Sequence, residues 1–252
     1  MIERPLSQSA SVTLSVLGGL SILVIWQFLV PWAGIPAYIV PTPTAIAGVF
    51  QKQWPLLLSN LWPTAVESVA GFLIGNSMAV LVAVLFVYAR IVQAAYFPVI
   101  LFFNTIPILA LAPIIVLIFG LGMTPKIIIA AVICFFPTLV NMIRGLGSAS
   151  QNEQELLRIL SATRWETFWR LRLPRSLPML FSSLRIAATT SVIGAIVGEW
   201  IGSDKGIGAL IIQATFNYRS GQLYAAIVLS SSMAIVLFLL VVLAERKIMR
   251  YS

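Results

Sequence analysis

Between Ser150 and Arg175 the chain reads SQNEQELLRILSATRWETFWRLRLPR. The stretch is too polar to enter lipid, yet it is patterned and sits between two apolar runs. Ser150-Gln151-Asn152-Glu153 and Thr163-Arg164-Trp165-Glu166 each have the form of a capping box. In such a box the hydroxyl accepts from the N3 amide and the glutamate accepts from the cap amide. The spacing predicts two short helices, Gln151–Leu160 and Arg164–Arg172. Leu156, Leu157 and Leu160 form an apolar stripe on the first, and Trp165, Phe168 and Trp169 form one on the second. Ser161-Ala162 makes the turn. Leu173-Pro174 is expected to end the second helix, because proline disfavours helical geometry in the residue before it. Such a pair can pack under its own bundle, read DNA or dock a partner. Tight tethering at both ends speaks against DNA. Bulky apolar residues ringed by Arg158, Arg164, Arg170 and Arg172 suit a protein interface.

The surroundings are a membrane protein. The 252 residues are 60% hydrophobic and only 10% charged, with a mean hydropathy of +0.99. Soluble domains carry about a quarter charged residues. About 20 apolar residues cross the hydrocarbon core, and six stretches qualify: Val12–Val30, Thr64–Val87, Ala94–Phe119, Ile127–Ile143, Met179–Ile201 and Leu223–Leu243. The first is longer than a signal-peptide core and follows only Arg4, so it reads as a retained span. The third carries Pro98, Pro107 and Pro113, which predicts kinks or a break. The expected fold is an all-α integral membrane protein of six transmembrane helices, one domain over 1–252.

Charge fixes the expected orientation. Of 16 Lys and Arg, Lys52, Lys126, Lys205 and Arg219 fall on one side and the other twelve on the opposite side. The positive-inside rule then puts both termini and the helix pair in the cytoplasm. The net charge of +8 is thereby a topology signal, and no nucleic-acid partner is expected. Trp32, Trp54, Trp62 and Trp200 lie near span ends, as interfacial anchors do. Pro41-Thr42-Pro43-Thr44 precedes Ala45–Gln53, which reads as a short interfacial helix capped by Thr42 or Thr44. Gly71/Gly75 and Gly194/Gly198 recur at four-residue spacing, which lets helix backbones approach closely.

Several chemistries are excluded. There is no histidine and one cysteine, Cys134, so neither an intrachain disulfide nor a Cys/His metal site can form. A phosphate-binding loop ends in Gly-Lys-Ser/Thr, and none of Lys52, Lys126, Lys205 and Lys247 follows a glycine. The chain is not expected to be an enzyme or to bind a cofactor.

The helix pair also resembles a known motif. Glu155-Leu156-Leu157, Ser161 six residues after the glutamate, and Leu171-Arg172-Leu173-Pro174 are similar in spacing to the coupling motif of binding-protein-dependent ABC importer permeases. That motif runs Glu-Ala-Ala, three residues, Gly, nine residues, Ile, one residue, Leu-Pro. Glu155, Leu173 and Pro174 match it in identity. The resemblance continues through Ile39–Pro43, Thr64–Phe72, Ile106–Pro113 with Phe119–Gly122, and Glu199–Gly202 with Gly206–Gly208. It points to the branch that carries nitrate, sulfonates, taurine, and thiamine-precursor or riboflavin-type compounds.

The resemblance implies a type I ABC importer permease fold with coupling helices at about 150–175. It implies a second permease subunit, expected as a homodimer, two cytoplasmic ABC ATPase subunits that use ATP, an extracytoplasmic substrate-binding protein, and a bacterial inner membrane. It implies ATPase-coupling roles for Glu155, Ser161, Trp165, Phe168, Leu171, Leu173 and Pro174. Glycine at the Ser161 position would supply a left-handed turn, which serine adopts at a cost of about 1 kcal/mol. Glu155 can reach Arg158 one turn away.

Polar residues inside spans are the pathway candidates: Glu67, Asn104, Thr105, Asn141, Thr190 and Glu199. A charge at a helix centre costs about 2.5–3.5 kcal/mol, and both glutamates fall near span ends. The substrate is expected to be a small organic solute or anion, and the aromatic and amide content of the third span leans toward a planar heterocycle. An ion-coupled carrier with Glu67 and Glu199 as coupling sites is the alternative, and a non-transporting scaffold is a third class.

Overall fold

The computed structural model describes residues 8–249, with side chains from residue 13. Arg4 and Arg250, two of the twelve inner charges, lie outside the described residues. The described residues form helices joined by short loops, with no strand among them. The helices are α1 (Gln8–Trp32), α2 (Pro43–Tyr88), α3 (Arg90–Thr105), α4 (Ile108–Phe119), α5 (Met123–Leu146), α6 (Gln151–Ile159) and α7 (Arg164–Thr167). After the π-helical turn Phe168–Arg172 come α8 (Leu173–Glu199), α9 (Ile207–Phe216) and α10 (Ser220–Met249).

Packing divides the described residues into two compact units, 8–58 with 210–228, and 59–209 with 229–249. The first contains α1, whose apolar side chains are largely exposed, for example Phe28 at 70%, as a lipid-facing helix requires. Gln27 ties it to the next segment: its amide donates to Thr44 Oγ1 at 3.1 Å and its carbonyl accepts the Thr44 N–H at 3.1 Å. Thr42 Oγ1 accepts from the Ala45 N–H at 3.4 Å, which makes Thr42 the cap of the arm that opens α2. That arm ends at Gln53, whose φ of −120° and ψ of 18° interrupt the helix.

In the second unit α5 is clasped between α2 and α8. The two glycine pairs form the clasp. A Cβ at Gly71 or Gly75 would collide with Ala130 or Ala131, and one at Gly194 would stand 2.7 Å from the Ala130 Cα. A Cβ at Gly198 would stand 3.0 Å from the Lys126 Cα. Lower along the same helices, Ala79, Ala83 and Phe86 of α2 pack with Leu139, Met142 and Leu146 of α5. Thr138 donates to Asn76 across this seam at 2.6 Å, so a buried hydroxyl and amide satisfy each other. Arg185 of α8 pairs with Glu245 of α10 at 3.4 Å, which partners the one arginine inside the fifth span.

The third span is broken where expected. Ile106 precedes Pro107 and is extended, at φ −73° and ψ 125°, the conformation proline imposes on its predecessor. There α3 and α4 bend by 101°. Tyr88, ending α2, donates to the Arg164 carbonyl at 3.4 Å, whereas Lys126, opening α5, pairs with Glu67. Residues 67 and 88 are about 31 Å apart along α2. The bent pair therefore runs from the Tyr88 end of α2 back to the level of Glu67. It is one interrupted crossing and not a re-entrant loop. With the five helices long and apolar enough to cross a membrane it gives six candidate spans.

Leu173-Pro174 does not end the second hairpin helix. Leu173 is helical, at φ −65° and ψ −51°, and its N–H bonds to the Phe168 carbonyl five residues back. Proline clashes with the carbonyl four residues before it and lacks its own N–H. The widened π turn absorbs both defects, so helix runs on from Arg164 through Pro174 into α8.

Candidate functional site

Asn60, Thr64 and Glu67 recur at four- and three-residue spacing and therefore share one face of α2. Lys126 lies in the first turn of α5, and Glu199 closes α8. The glycine clasp brings these three helices close enough for their polar groups to meet. Lys126 Nζ lies 3.3 Å from Glu67 Oε1 and donates to Ser203 Oγ at 2.7 Å. Thr64 Oγ1 donates to Glu199 Oε1 at 2.6 Å. The chain returns after α8 with three successive amides aimed at this cluster. Gly206 N–H donates to Asn60 Oδ1 at 3.0 Å, Ile207 N–H to Thr64 Oγ1 at 2.8 Å and Gly208 N–H to Glu199 Oε2 at 2.6 Å. Those amides begin α9, so Glu199 is the anionic cap of a helix N-terminus.

Two glycines make this cap possible. A Cβ at Gly206, where φ is +123°, would collide with the Glu199 carboxylate, and one at Gly208 would stand 2.5 Å from the Ile196 carbonyl. Glu67 is 0% exposed and Glu199 1%. The Glu67 oxygens accept no hydrogen bond, so Lys126 is the countercharge that holds this acid in the interior. Removing one partner of such a pair is strongly destabilising. The cluster locks the span ends together. No group of three or more metal-ligating side chains occurs among the described residues.

The hairpin is the second feature. Both capping boxes form: Ser150 Oγ accepts the Glu153 N–H at 3.3 Å and Glu153 Oε2 accepts the Ser150 N–H at 3.0 Å. Thr163 and Glu166 do the same at 3.2 and 2.8 Å. The Ser150 amide and hydroxyl hold the Glu153 carboxyl below its ordinary range, with Arg175 adding to the effect, and Thr163 does so for Glu166. Ser161 has φ +56°. Ala162 N–H bonds to the Leu157 carbonyl at 2.9 Å and Ser161 N–H to that of Arg158 at 2.9 Å, which is a Schellman turn with serine at the left-handed position.

The hairpin's apolar residues have divided duties. Phe168 packs on the α2–α5 core and lies 6.2 Å from the Tyr88 ring, so it fixes the hairpin to the bundle. Trp165 is 68% exposed and Ile159 80%, and they point away from that core. Leu171 and Leu173 are half-buried, and Glu155 and Pro174 are exposed. Glu155 forms no ion pair with Arg158 among the described residues.

The pathway candidates do not converge on one place. Glu67 and Glu199 meet in the locked cluster. Asn104 instead joins Phe103, Phe135 and Phe136 around a cavity of about 290 Å³ between α3, α4 and α5. Thr105 donates to the Phe102 carbonyl at 2.7 Å and Thr190 to that of Ile186 at 3.2 Å, so each satisfies its own helix. Asn141 is half-buried in α5. Sequence reasoning placed Lys126 among the outer charges and missed it as a partner. The available signal was a lysine one turn into an apolar helix, opposite an apolar span carrying Asn60, Thr64 and Glu67 on one face.

Residues 71–250 match the family model described as "Binding-protein-dependent transport system inner membrane component". The chain is 33% identical over 236 residues to the riboflavin transport system permease protein RibX of Chloroflexus aurantiacus, covering 92% of this chain and 87% of that one. It is 32% identical over 217 residues to a probable ABC transporter permease protein of Haemophilus influenzae, covering 86% and 89%. Against the formylaminopyrimidine transport permease protein ThiX of Halalkalibacterium halodurans it is 32% identical over 220 residues, covering 87% and 88%. Among solved structures, an inward-facing form of the MetNI methionine ABC transporter superposes with a TM-score of 0.62 at 21% identity, covering 79% of this chain and 97% of that one.

Proposed function

The chain belongs to the family of binding-protein-dependent transport system inner membrane components, and on that premise we propose how it works as the permease subunit of an ABC importer. Two copies form the translocation pathway. Two cytoplasmic ATPase subunits engage the α6–α7 hairpins and consume the ATP, and an extracytoplasmic binding protein delivers the solute. The permease itself holds no cofactor. Both termini and the hairpin face the cytoplasm, which follows from the twelve-to-four division of basic residues.

The observation that carries this reading is the hairpin surface. Ile159, Leu160 and Trp165 are 80%, 67% and 68% exposed on a scaffold fixed by two capping boxes and a Schellman turn. A rigid exposed apolar face of this kind needs a partner. Glu155, Ser161, Trp165, Phe168, Leu171, Leu173 and Pro174 form or support it, and Glu155 is free to meet a basic ATPase residue. An ion-coupled carrier would need Glu67 and Glu199 to exchange ions with water, and both are enclosed in the Lys126 cluster.

The solute we propose is a planar nitrogen heterocycle of the flavin or pyrimidine kind. Supporting it are the names of two relatives and the cavity lined by Phe103, Phe135, Phe136 and Asn104, whose ring faces and amide suit stacking and edge recognition. The test is uptake of riboflavin and of a formylaminopyrimidine into vesicles carrying this permease with its ATPase and binding protein. Uptake should require ATP and survive collapse of the ion gradients. ATP-independent uptake by this chain alone, driven by an ion gradient, overturns the reading.

A further inference from the structure

At the hairpin end of the second unit a cavity of about 460 Å³ opens between the α2–α3 corner and the α6–α7 hairpin. Arg90, Arg158, Arg164 and Arg172 line it, with Tyr88 and Gln154. No carboxylate lines it. Of the neighbouring acids, Glu153 is engaged by Ser150 and Arg175 and Glu166 by Thr163, and Glu155 is exposed and does not line the cavity. None of the four arginines makes an ion pair among the described residues. Arg172 is already oriented: its Nη2 donates to Gln154 Oε1 at 3.2 Å, and its guanidinium lies 5.6 Å from the Tyr88 ring centroid. Its Nε is buried and donates to nothing.

Four arginines lining one concave site focus a positive potential there. Guanidinium forks match the oxygens of a phosphate better than any other side chain does. The cavity is also distinct from the exposed apolar face. Gln154 and Arg158 are four residues apart on one side of α6, whereas Leu156, Ile159 and Leu160 project from others.

Its position selects among phosphate-bearing ligands. Arg90 follows the break at Ala89, where φ is −118° and ψ 75°, directly at the end of a span. The next residue, Ile91, is 86% exposed, and α3 buries no residue at all. The cavity therefore opens beside an apolar helix face that acyl chains can follow. Basic pockets at the cytoplasmic ends of spans are suited to anionic headgroups. We propose that this cavity binds the phosphate of an anionic phospholipid headgroup, so that a bilayer lipid bridges the α2–α3 corner and the hairpin.

The test is a thermal-shift titration of the purified full chain in detergent with phosphatidylglycerol, phosphatidylcholine or inorganic phosphate. Phosphatidylglycerol should raise the melting temperature and phosphatidylcholine should not. Basic residues contribute about 1 kcal/mol each at an anionic surface, so Arg90→Gln with Arg158→Gln should weaken the apparent affinity about thirtyfold. Arg246→Gln with Lys247→Gln, in the last turn of α10, should leave it unchanged. An equal loss in both double variants, or none in the first, means diffuse surface attraction and overturns the site. A shift given equally by free phosphate overturns the lipid source. Should the first variant not purify, native mass spectrometry of the unaltered chain decides: retention of phosphatidylglycerol no greater than of phosphatidylcholine overturns the proposal. No transport or ATPase assay enters, so its failure leaves the permease reading standing.

Discussion

Lys126 Nζ lies 3.3 Å from Glu67 Oε1, with the side chains 9% and 1% exposed. One cation thus serves a buried region that also contains Glu199. Lys126→Met is expected to lower stability by about 3–5 kcal/mol, because it strands a buried carboxylate. Lys126→Met with Glu67→Leu should recover most of that loss. Thermal unfolding of the solubilised proteins measures both, and equal stability of the two variants would contradict the pairing.

The glycine clasp predicts an asymmetry between positions. Gly75→Ala drives a methyl into the backbone of α5 at Ala131 and should cost about 1–3 kcal/mol. Gly18→Ala in α1 meets nothing within 4 Å and should be neutral or stabilising by up to about 1 kcal/mol. Folded yield and melting temperature compare the two.

Ser161 holds a left-handed backbone that glycine adopts freely. Ser161→Gly should stabilise the hairpin by about 1 kcal/mol, and Ser161→Val should destabilise it by more. Hydrogen exchange at Leu160, Ser161 and Ala162 reads the change locally.

Acid should loosen the hairpin late. The Glu153 and Glu166 carboxyls have pKa values lowered from the ordinary 4.5 by their capping bonds. A lowered folded value means stabilisation that is fully present above the unfolded value and lost as pH falls through the folded one. Amide protection in α6 and α7 should therefore hold at pH 5 and above and fail only below the ordinary carboxylate range, as exchange corrected for intrinsic rate would show. Glu153→Gln should flatten the dependence in α6 alone.

Glu155 is exposed and unpaired among the described residues, so Glu155→Ala should leave permease abundance unchanged while reducing ATPase co-purification and uptake. Trp165→Ala should behave likewise. Phe168→Ala removes a ring packed on the α2–α5 core and should lower abundance as well. Loss of abundance in all three would make the hairpin structural.

Local chemistry was legible in the sequence. Both capping boxes, the Pro107 break and the crowding glycines depend on residues a few positions apart, and each is found where the spacing put it. The hidden parts depend on which helix faces meet. Lys126 counted as an outer charge because nothing in its own helix shows that Glu67 stands opposite. The Glu199 cap on α9 depends on a chain reversal through Gly206. Pro174 misled for a different reason: proline excludes the ordinary helical hydrogen bond, and the π turn at Phe168–Arg172 evades that rule by bonding one residue further back.

That turn has a mechanical consequence. Arg164 to Glu199 is 36 residues of uninterrupted helix, about 54 Å long. The π turn at Phe168–Arg172 and Pro178 lie in its first half, where a helix bends most readily, so a displacement at Trp165 is passed on only as far as that half stays straight. Beyond Pro178 it moves as a whole, and its far tip is the Glu199 carboxylate, seated on the Gly208 amide and the Thr64 hydroxyl. A push on the hairpin would then be felt at the far end of α8 as strain on that seat, with the stroke limited by how far those two hydrogen bonds let the tip travel.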